Sequence, residues 1–335
     1  MTAARISVVI PTHNRKDLLC EMLEALGRQT IPLSQLEVIV VPDGCTDGTA
    51  ERLAALQLPF TFRVEPQEQS GPSTARNRGA HMVTGDILVF MDDDLLPLPD
   101  FLERHLTHHA KNESMVVLGR FLPAPDAKKN GWHIWEEQIF EKHYKYMQAG
   151  RRPPAGRRLY SGNFSMPRTD FLASGGFDER LKRGEDVELG FRLEKAGVQF
   201  IFEPNAATIH RGFRSFDSWC NSAYLYGKTD VQLARERGHQ QVLPEIRGWY
   251  RRLRPPFKQL IGLTLDSPAL KRPLINLLRW TSGGISNIGL HSVAHYGYSG
   301  IYKLQYWHGV AYELGGSSAF RADIGIGGLS NARTK

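Results

Sequence analysis

The chain has 335 residues, 41% of them hydrophobic and 23% charged, the balance of an ordinary globular protein with room for one large or two modest domains. Cys20, Cys45 and Cys220 lie far apart without a CxxC pair, which argues against a disulfide framework or a zinc module and suits a reducing cytoplasm. The opening MTAARISVVIP lacks a signal-peptide pattern, and no run of about 18 apolar residues is present to span a membrane. The net charge of +7 is unevenly spread: 25 Lys and Arg stand against 28 Asp and Glu up to residue 210, but 17 against 7 from Arg211 onward, which suggests two regions with different tasks.

ISVVI (6–10) is a β-branched run stopped by Pro11 and predicts a buried strand. Asn14 is placed to cap the helix that follows, where Leu18, Leu19, Met22, Leu23 and Leu26 recur at helical spacing. EVIVV (37–41) predicts a second strand, and Asp47 or Thr49 a cap for a short helix. FTFRV (60–64) is a third strand, PSTARNRGAHMV a helix, DILVFM (86–91) a fourth strand, PDFLERHLTHHAK a helix with Pro99 at its first turn, and SMVVLG another strand. Residues 121–160, rich in Pro, Arg, Lys and aromatics, are expected to form a partly helical lid or wall loop. GNFSMP then resumes the pattern, EDVELGFRLEKAG is an amphipathic helix ended by Gly197, and QFIFEP is a strand. From Ser215 the segments are helical, broken at Pro244, Pro255, Pro256 and Pro273, and LSNARTK ends the chain as a tail.

Strands alternating with helices imply a mostly parallel sheet covered on both faces, and ligands of such sheets sit beyond the carboxyl ends of the strands. Asp43 follows the second strand and Asp92, Asp93 and Asp94 the fourth, so both acidic groups enter one crevice. Three adjacent carboxylates could bind Mg²⁺ or Mn²⁺ together with a substrate's phosphates, share a proton, or form a solvated turn. Their position at a nucleotide-binding edge favours metal and phosphate. On an extended segment Asp92 and Asp94 share a face and Asp93 points away.

ISVVIPTHNR, VIVVPDGCTDGT, SGPSTARNRGAHMVTGDILVFMDDDLLP and GNFSMPRTDFLASGGFDERLKRGEDVELGFRL follow one another at suitable spacing. Together, over about residues 5–212, they resemble the family 2 nucleotide-sugar glycosyltransferases. The resemblance implies an α/β GT-A (Rossmann-like) fold: a mostly parallel sheet flanked by helices, with a mainly helical C-terminal extension. Residues 1–212 would be catalytic, with a donor half to about 120 and an acceptor half from 121, and 213–335 a basic helical region facing acceptor or membrane. It implies an inverting, metal-assisted transfer from a nucleoside-diphosphate sugar to a hydroxyl acceptor in polysaccharide, glycolipid or cell-envelope glycan synthesis. A retaining transferase, a nucleotidyltransferase on the same fold and a non-catalytic glycan-binding protein remain alternatives.

By the same resemblance, Pro11, Thr12, Asn14, Asp43, Arg76, Asp92 and Asp93 contact the nucleotide sugar. Asp43 serves as acceptor for the base, although Pro42 replaces the first of two acids that many members carry. Asp94, Asp92 and His210 are the metal ligands for Mn²⁺ or Mg²⁺. Asp186 is the general base, at a helix N-terminus that would hold its pKa low until acceptor binding desolvates it. Asn163, Glu185, Trp132 and Trp135 face the acceptor. The donor would be a UDP sugar, with GDP and dTDP sugars also chemically suitable. The acceptor would be a glycan or lipid-linked. His105, His108 and His109 are read as a solvated helix face. EIRGWYRRLRPPFK (245–258) and IYKLQYWHGVAYELGG (301–316) suit either packing on the catalytic domain or contact with an anionic membrane, which would place a cytoplasmic protein at the inner face of the plasma membrane. No nucleic-acid motif is present.

Overall fold

The computed structural model of the protein describes residues 5–110 and 113–324, and the LSNARTK segment lies outside the described residues. Strand β1 (Ile6–Thr12) is buried along its length, and the period-two alternation of a strand divides its side chains between two layers. Ile6, Val8 and Ile10 enter one core cluster and Val9 the other. Helix α1 (Lys16–Leu26) packs Leu19, Met22, Leu23 and Leu26 into the first cluster. Its start carries no side-chain cap. Asn14, expected there, instead adopts φ 53° and accepts from the Thr46 backbone N–H at 2.7 Å. Strand β2 (Leu36–Pro42) repeats the division, with Val38 and Val40 on one side and Ile39 and Val41 on the other.

Helix α2 (Thr49–Ala54), strand β3 (Thr61–Val64), helix α3 (Pro72–Met82) and strand β4 (Ile87–Met91) complete the first half. There follow β5 (Leu95–Pro97), α4 (Phe101–His109), β6 (Met115–Pro123), α5 (Gly131–Gln148), β7 (Asn163–Pro167), α6 (Arg168–Ala173), α7 (Glu185–Lys195) and β8 (Gln199–His210). The eight strands form one sheet in the order β3-β2-β1-β4-β7-β6-β8-β5. β1 to β4 run parallel, as do β6 and β8; β7 is antiparallel to both its neighbours, and β5 to β8. The expected α/β sheet is therefore present with two reversed strands. The strand begun by QFIFEP runs on to His210, carried past a register shift opposite Leu118 and Arg120.

Residues 121–160 are not mainly a loop. Trp132, Trp135, Phe140, Tyr144 and Met147 recur every three to five residues, and α5 takes up 18 residues of the stretch.

The histidines of α4 are a second correction. His105 and His109 are 0% and 2% exposed. Asn163 donates from Nδ2 to the Ala206 and Arg120 carbonyls, so its Oδ1 must accept, and His105 Nε2–H is the donor at 3.0 Å. His105 Nδ1 then accepts from Ser165 Oγ at 2.8 Å, and Ser165 Oγ accepts from His109 Nε2–H at 2.8 Å. Burial drives both imidazoles toward the neutral form, His105 down to about 3 and His109 to about 4. The network ties α4 to β7 where an apolar helix face would otherwise lie.

The chain divides into two compact units: residues up to 127 with 140–212, and 128–139 with the residues from 213 on. The second is helical: α8 (Phe216–Glu236), α9 (Val242–Arg251), α10 (Pro255–Asp266), α11 (Lys271–Asn287), α12 (His291–Leu314) and α13 (Ser317–Asp323). The prolines mark the first turns of α9, α10 and α11, where their missing N–H costs no helical bond. Tyr250 packs edge-on to Trp307 and Phe320, and Trp135 to Trp219. Much of the aromatic content of 245–258 and 301–316 is thus core of this unit. Among the described residues no helix is long and apolar enough to cross a membrane.

Folding holds His105 and His109 neutral, whereas the unfolded chain protonates them below about 6.5. The unfolded state binds more protons, so stability falls as the pH drops from about 6.5 toward 3. Denaturant unfolding between pH 7 and 4 should show this loss. His105→Gln should be destabilised at pH 7 by about 1–3 kcal/mol, yet lose less on acidification; an unchanged pH slope would refute the neutral pair.

Candidate active site

The acidic triplet sits where β4 ends, and the chain turns there at once: the Leu95 N–H returns to the Asp92 carbonyl at 3.3 Å. The alternation of an extended segment does not apply to a turn, so Asp92 and Asp94 do not share a face and Asp93 does not point away from Asp94. Asp93 and Asp94 are buried, at 5% and 9% exposure, while the Asp92 side chain is 40% exposed.

Two arginines pair with the three carboxylates. Arg15, just after β1, bridges Asp93 Oδ1 at 2.9 Å and Asp94 Oδ2 at 2.6 Å. Thr12 Oγ1 adds a hydrogen bond to Asp93 Oδ2 at 2.7 Å. Arg76, in α3, takes Asp92 Oδ1 at 2.5 Å and reaches Glu185 Oε1 of α7 at 3.3 Å, with its guanidinium 5.6 Å from the Phe177 ring centre. It is 4% exposed. Burial opposes its charge, but Asp92, Glu185 and Asp186 together raise its pKa above the ordinary value. Arg76 was expected at the nucleotide; its contacts within the protein are with the two acidic segments. Arg15 was missed in the sequence, where the available signal was a cation directly after the PTHN stretch at a strand end.

The two buried acids differ. Burial, with repulsion from Asp94 and Asp92, lifts Asp93 to about 6 despite Arg15 and Thr12. Burial would also raise Asp94, but the His210 imidazole and Arg15 outweigh it and hold it down at about 2. His210, the last residue of β8, brings Nε2 to 3.8 Å from Asp94 Oδ2 because β5 pairs Leu95 with His210. Gly212 completes the fit: a Cβ there would lie 1.9 Å from Asp94 Oδ2.

Asp43 directly follows β2 and is almost wholly buried. Its carboxylate accepts from Gln67 Nε2 at 2.8 Å and from the Ser70 and Gly71 N–H groups at 2.7 and 2.9 Å. It therefore orders the loop leading into α3, and a carboxylate's fourth acceptor position remains. Asn14 and His13 stand exposed beside it, with His13 Nδ1 at 2.6 Å from the Asp43 carbonyl. Pro11 is buried in the strand.

Asp186 begins α7, where its Oδ1 accepts from Val187 N–H at 2.8 Å and its Oδ2 from Ser161 N–H at 3.3 Å. The helix start does not keep its pKa low. Burial and the neighbouring Glu185 raise it to about 7, against the pull of the Val187 N–H, Arg183 and Arg76. A carboxylate poised there is a competent base near neutral pH without further desolvation.

Three residues expected at the acceptor are engaged elsewhere. Asn163 is 0% exposed, bonded to His105 and two carbonyls inside the sheet. Trp135 is 7% exposed and donates to Ser299 Oγ at 2.8 Å; Trp132 donates to the Arg214 carbonyl at 3.2 Å. Both belong to the helical unit, in whose packing they take part.

Among the described residues no group of three or more His, Cys, Asp and Glu side chains is placed to hold a metal ion. Asp92, turned into Arg76, does not join Asp94 and His210.

Residues 7–173 match the model of Glycosyl transferase family 2. Over 233 residues the chain is 37% identical to glycosyltransferase AglE of Haloferax volcanii, covering 68% of this chain and 73% of that protein. It is 31% identical over 268 residues to a validoxylamine A glucosyltransferase of Streptomyces hygroscopicus, covering 72% of this chain and 62% of the relative's length. The mannosyltransferase PcManGT of Pyrobaculum calidifontis, solved with GDP-Man and Mn²⁺, shares the fold at a TM-score of 0.63 and 19% identity, over 92% of this chain and 88% of that one. S. aureus TarS 1–349, solved with UDP-GlcNAc, does so at 0.53 and 16%, over 93% and 92%. With the sheet and its ordered motifs, these likenesses make the chain a member of glycosyl transferase family 2.

Proposed function

We propose that this protein is a glycosyltransferase that moves a sugar from a nucleoside-diphosphate sugar to a hydroxyl acceptor in glycan synthesis, with inversion and with Asp186 as general base. The observation that carries the proposal is that Arg76 ties the acidic turn, where Asp94 stands ionised beside the His210 imidazole, to the start of α7, where the Asp186 carboxyl is raised to about 7. Transfer to a hydroxyl needs this division: charge control where the diphosphate leaves and proton removal where the acceptor attacks. The family relatives, and the nucleotide sugars bound by the structural neighbours, support sugar transfer from a nucleotide sugar.

The base of the donor would rest against the loop that Asp43 orders, with the remaining acceptor position of Asp43 available to an imide or amide N–H. UDP, GDP and dTDP donors all present such a group. Asp94 and His210 fit a divalent cation: a hard oxygen and an imidazole, which would give up its proton to the metal, suit Mn²⁺ or Mg²⁺, and the remaining positions would fall to donor phosphates and water. Such an ion, when bound, offsets the negative charge gained by the departing diphosphate. Arg15, with its side chain 44% exposed, keeps Asp93 and Asp94 compatible beside that anion. On the other side, Asp186 takes the proton of the acceptor hydroxyl as oxygen attacks the anomeric carbon. Glu185, held on Arg76, keeps the base from being neutralised by that arginine alone.

A screen of UDP-, GDP- and dTDP-sugars with Mn²⁺, with and without chelator, tests the whole proposal; absence of both turnover and metal-dependent nucleotide binding would end it. Asp94→Asn should weaken metal-dependent donor binding, read by titration calorimetry, by tenfold or more, equivalent to about 1.4 kcal/mol. Asp186→Asn should bind donor as the wild type does and lose transfer by roughly 10²–10⁴-fold. Because the base works ionised and its pKa is about 7, transfer should fall about tenfold per pH unit below 7 and level off above it. Normal transfer by Asp186→Asn, or a flat profile between pH 5.5 and 8.5, would remove the base assignment.

A further inference from the structure

The helical unit carries an apolar surface that the transferase chemistry does not use. Helices α11 and α12 form a hairpin joined by the short turn Ile288–Leu290. Its inner seam is small and close: Gly297 of α12 meets Ser282 of α11, where a Cβ would lie 1.9 Å from Ser282 Oγ. Outward, α11 presents Leu277 and Trp280 at 57% and 79% exposure, the turn presents Ile288 and Leu290 at 72% and 52%, and α12 presents Val293 and Tyr296 at 53% and 63%. The Gly297–Ser282 contact sets Trp280 and Tyr296 at about the same level of the hairpin, with the aliphatic turn beyond them. Large side chains this open, gathered at one end of a hairpin, mark an interaction surface rather than scattered surface apolars.

The charge around this surface selects its partner. No Asp or Glu occurs between Asp266 and Glu313, while Lys271, Arg272, Arg279 and Lys303 fall within that span. Arg279 lies over the Phe216 ring at 4.2 Å, Lys303 over Phe257 at 4.5 Å and Lys271 over Tyr224 at 5.3 Å, so their positions are fixed by the unit's own rings, while Arg272 stands exposed. An aliphatic tip, a Trp and a Tyr one to two turns behind it, and cations without any acid match the layers of an anionic bilayer surface: acyl chains, interface and headgroups. A helix-on-helix protein partner would not require acids to be excluded from so long a stretch. We propose that the α11–α12 hairpin docks the protein on anionic lipid membranes, inserting its tip shallowly without spanning the bilayer. The surface lies wholly within the helical unit, and its test does not depend on the transferase chemistry.

Flotation of the full chain with phosphatidylcholine vesicles, with and without phosphatidylglycerol, reads this directly. The wild type should float with the phosphatidylglycerol vesicles and much less with phosphatidylcholine alone, and raised salt should release it. Trp280→Ser combined with Ile288→Ser should lower the bound fraction by roughly tenfold or more. Both positions are exposed, so the thermal midpoint should not move. Arg272→Glu should weaken binding to phosphatidylglycerol vesicles selectively. Three results overturn the proposal: a wild type that stays soluble with both vesicles, a double variant that floats as the wild type does, or a wild-type dimer in sedimentation that the double variant dissolves without any vesicle binding. The last would assign the same face to a second copy of the chain.

Discussion

The site depends on one buried cation. Arg76, almost without solvent contact, pairs with Asp92 on the loop after β4 and with Glu185 at the start of α7. These segments are about ninety residues apart in sequence, and each carries the acid next to the one it gives to Arg76: Asp93 beside Asp92, Asp186 beside Glu185. Without the guanidinium the carboxylates would face one another in a poorly solvated space. Breaking the buried Arg76–Glu185 pair would cost about 3–5 kcal/mol, largely because the surviving charge is left uncompensated, whereas the pair with the half-exposed Asp92 is worth less because water screens it. Arg76 is held in turn by the Phe177 ring beneath it, part of the aromatic cluster of Phe90, Phe164, Phe171 and Phe177.

That tie lets carboxylates close together in the fold behave differently. Asp94 has two cationic or hydrogen-bonding neighbours in Arg15 and His210 and is fully ionised. Asp186 has Glu185 beside it and shares Arg76 with two other acids, so burial wins and its pKa rises. The proposed displacement would draw on this separation of acid strengths, with one carboxylate staying charged while another accepts a proton. The loop after β1 closes the other side: Thr12 and Arg15 reach the acidic turn while Asp43 anchors the loop into α3.

The helical unit has a different logic. Its core is aromatic, with Trp135 edge-on to Trp219 and Tyr250 to Trp307, and several of its cations, Arg279 and Lys303 among them, lie over ring faces while others pair with the unit's few acids. Acids are scarce there, and the exposed aliphatic and aromatic side chains concentrate at the α11–α12 turn. The charge asymmetry along the chain is the sequence-level trace of this difference.

Much was readable from the amino acids alone. The buried strands β1, β2 and β4, the helices at 3.6-residue spacing and the placing of Asp43 and of the Asp92–Asp94 triplet just past the carboxyl ends of β2 and β4 follow from local periodicity and from where an α/β sheet leaves its strand ends. What only the tertiary structure decided was which partner each charge meets. Asp92 and Asp93 exchange their expected orientations because the chain turns at the triplet instead of continuing extended. Asn163 and His105 lie inside because β7 is a central strand with α4 against it, and α5 is helical because its aromatics find a core on each side of Ile139. Asp186 is raised rather than lowered because desolvation and Glu185 outweigh the Val187 N–H, Arg183 and Arg76. Periodicity is a property of neighbouring residues and survives without the fold; the ionisation and pairing of a side chain depend on distances to residues tens or hundreds of positions away, which only folding sets.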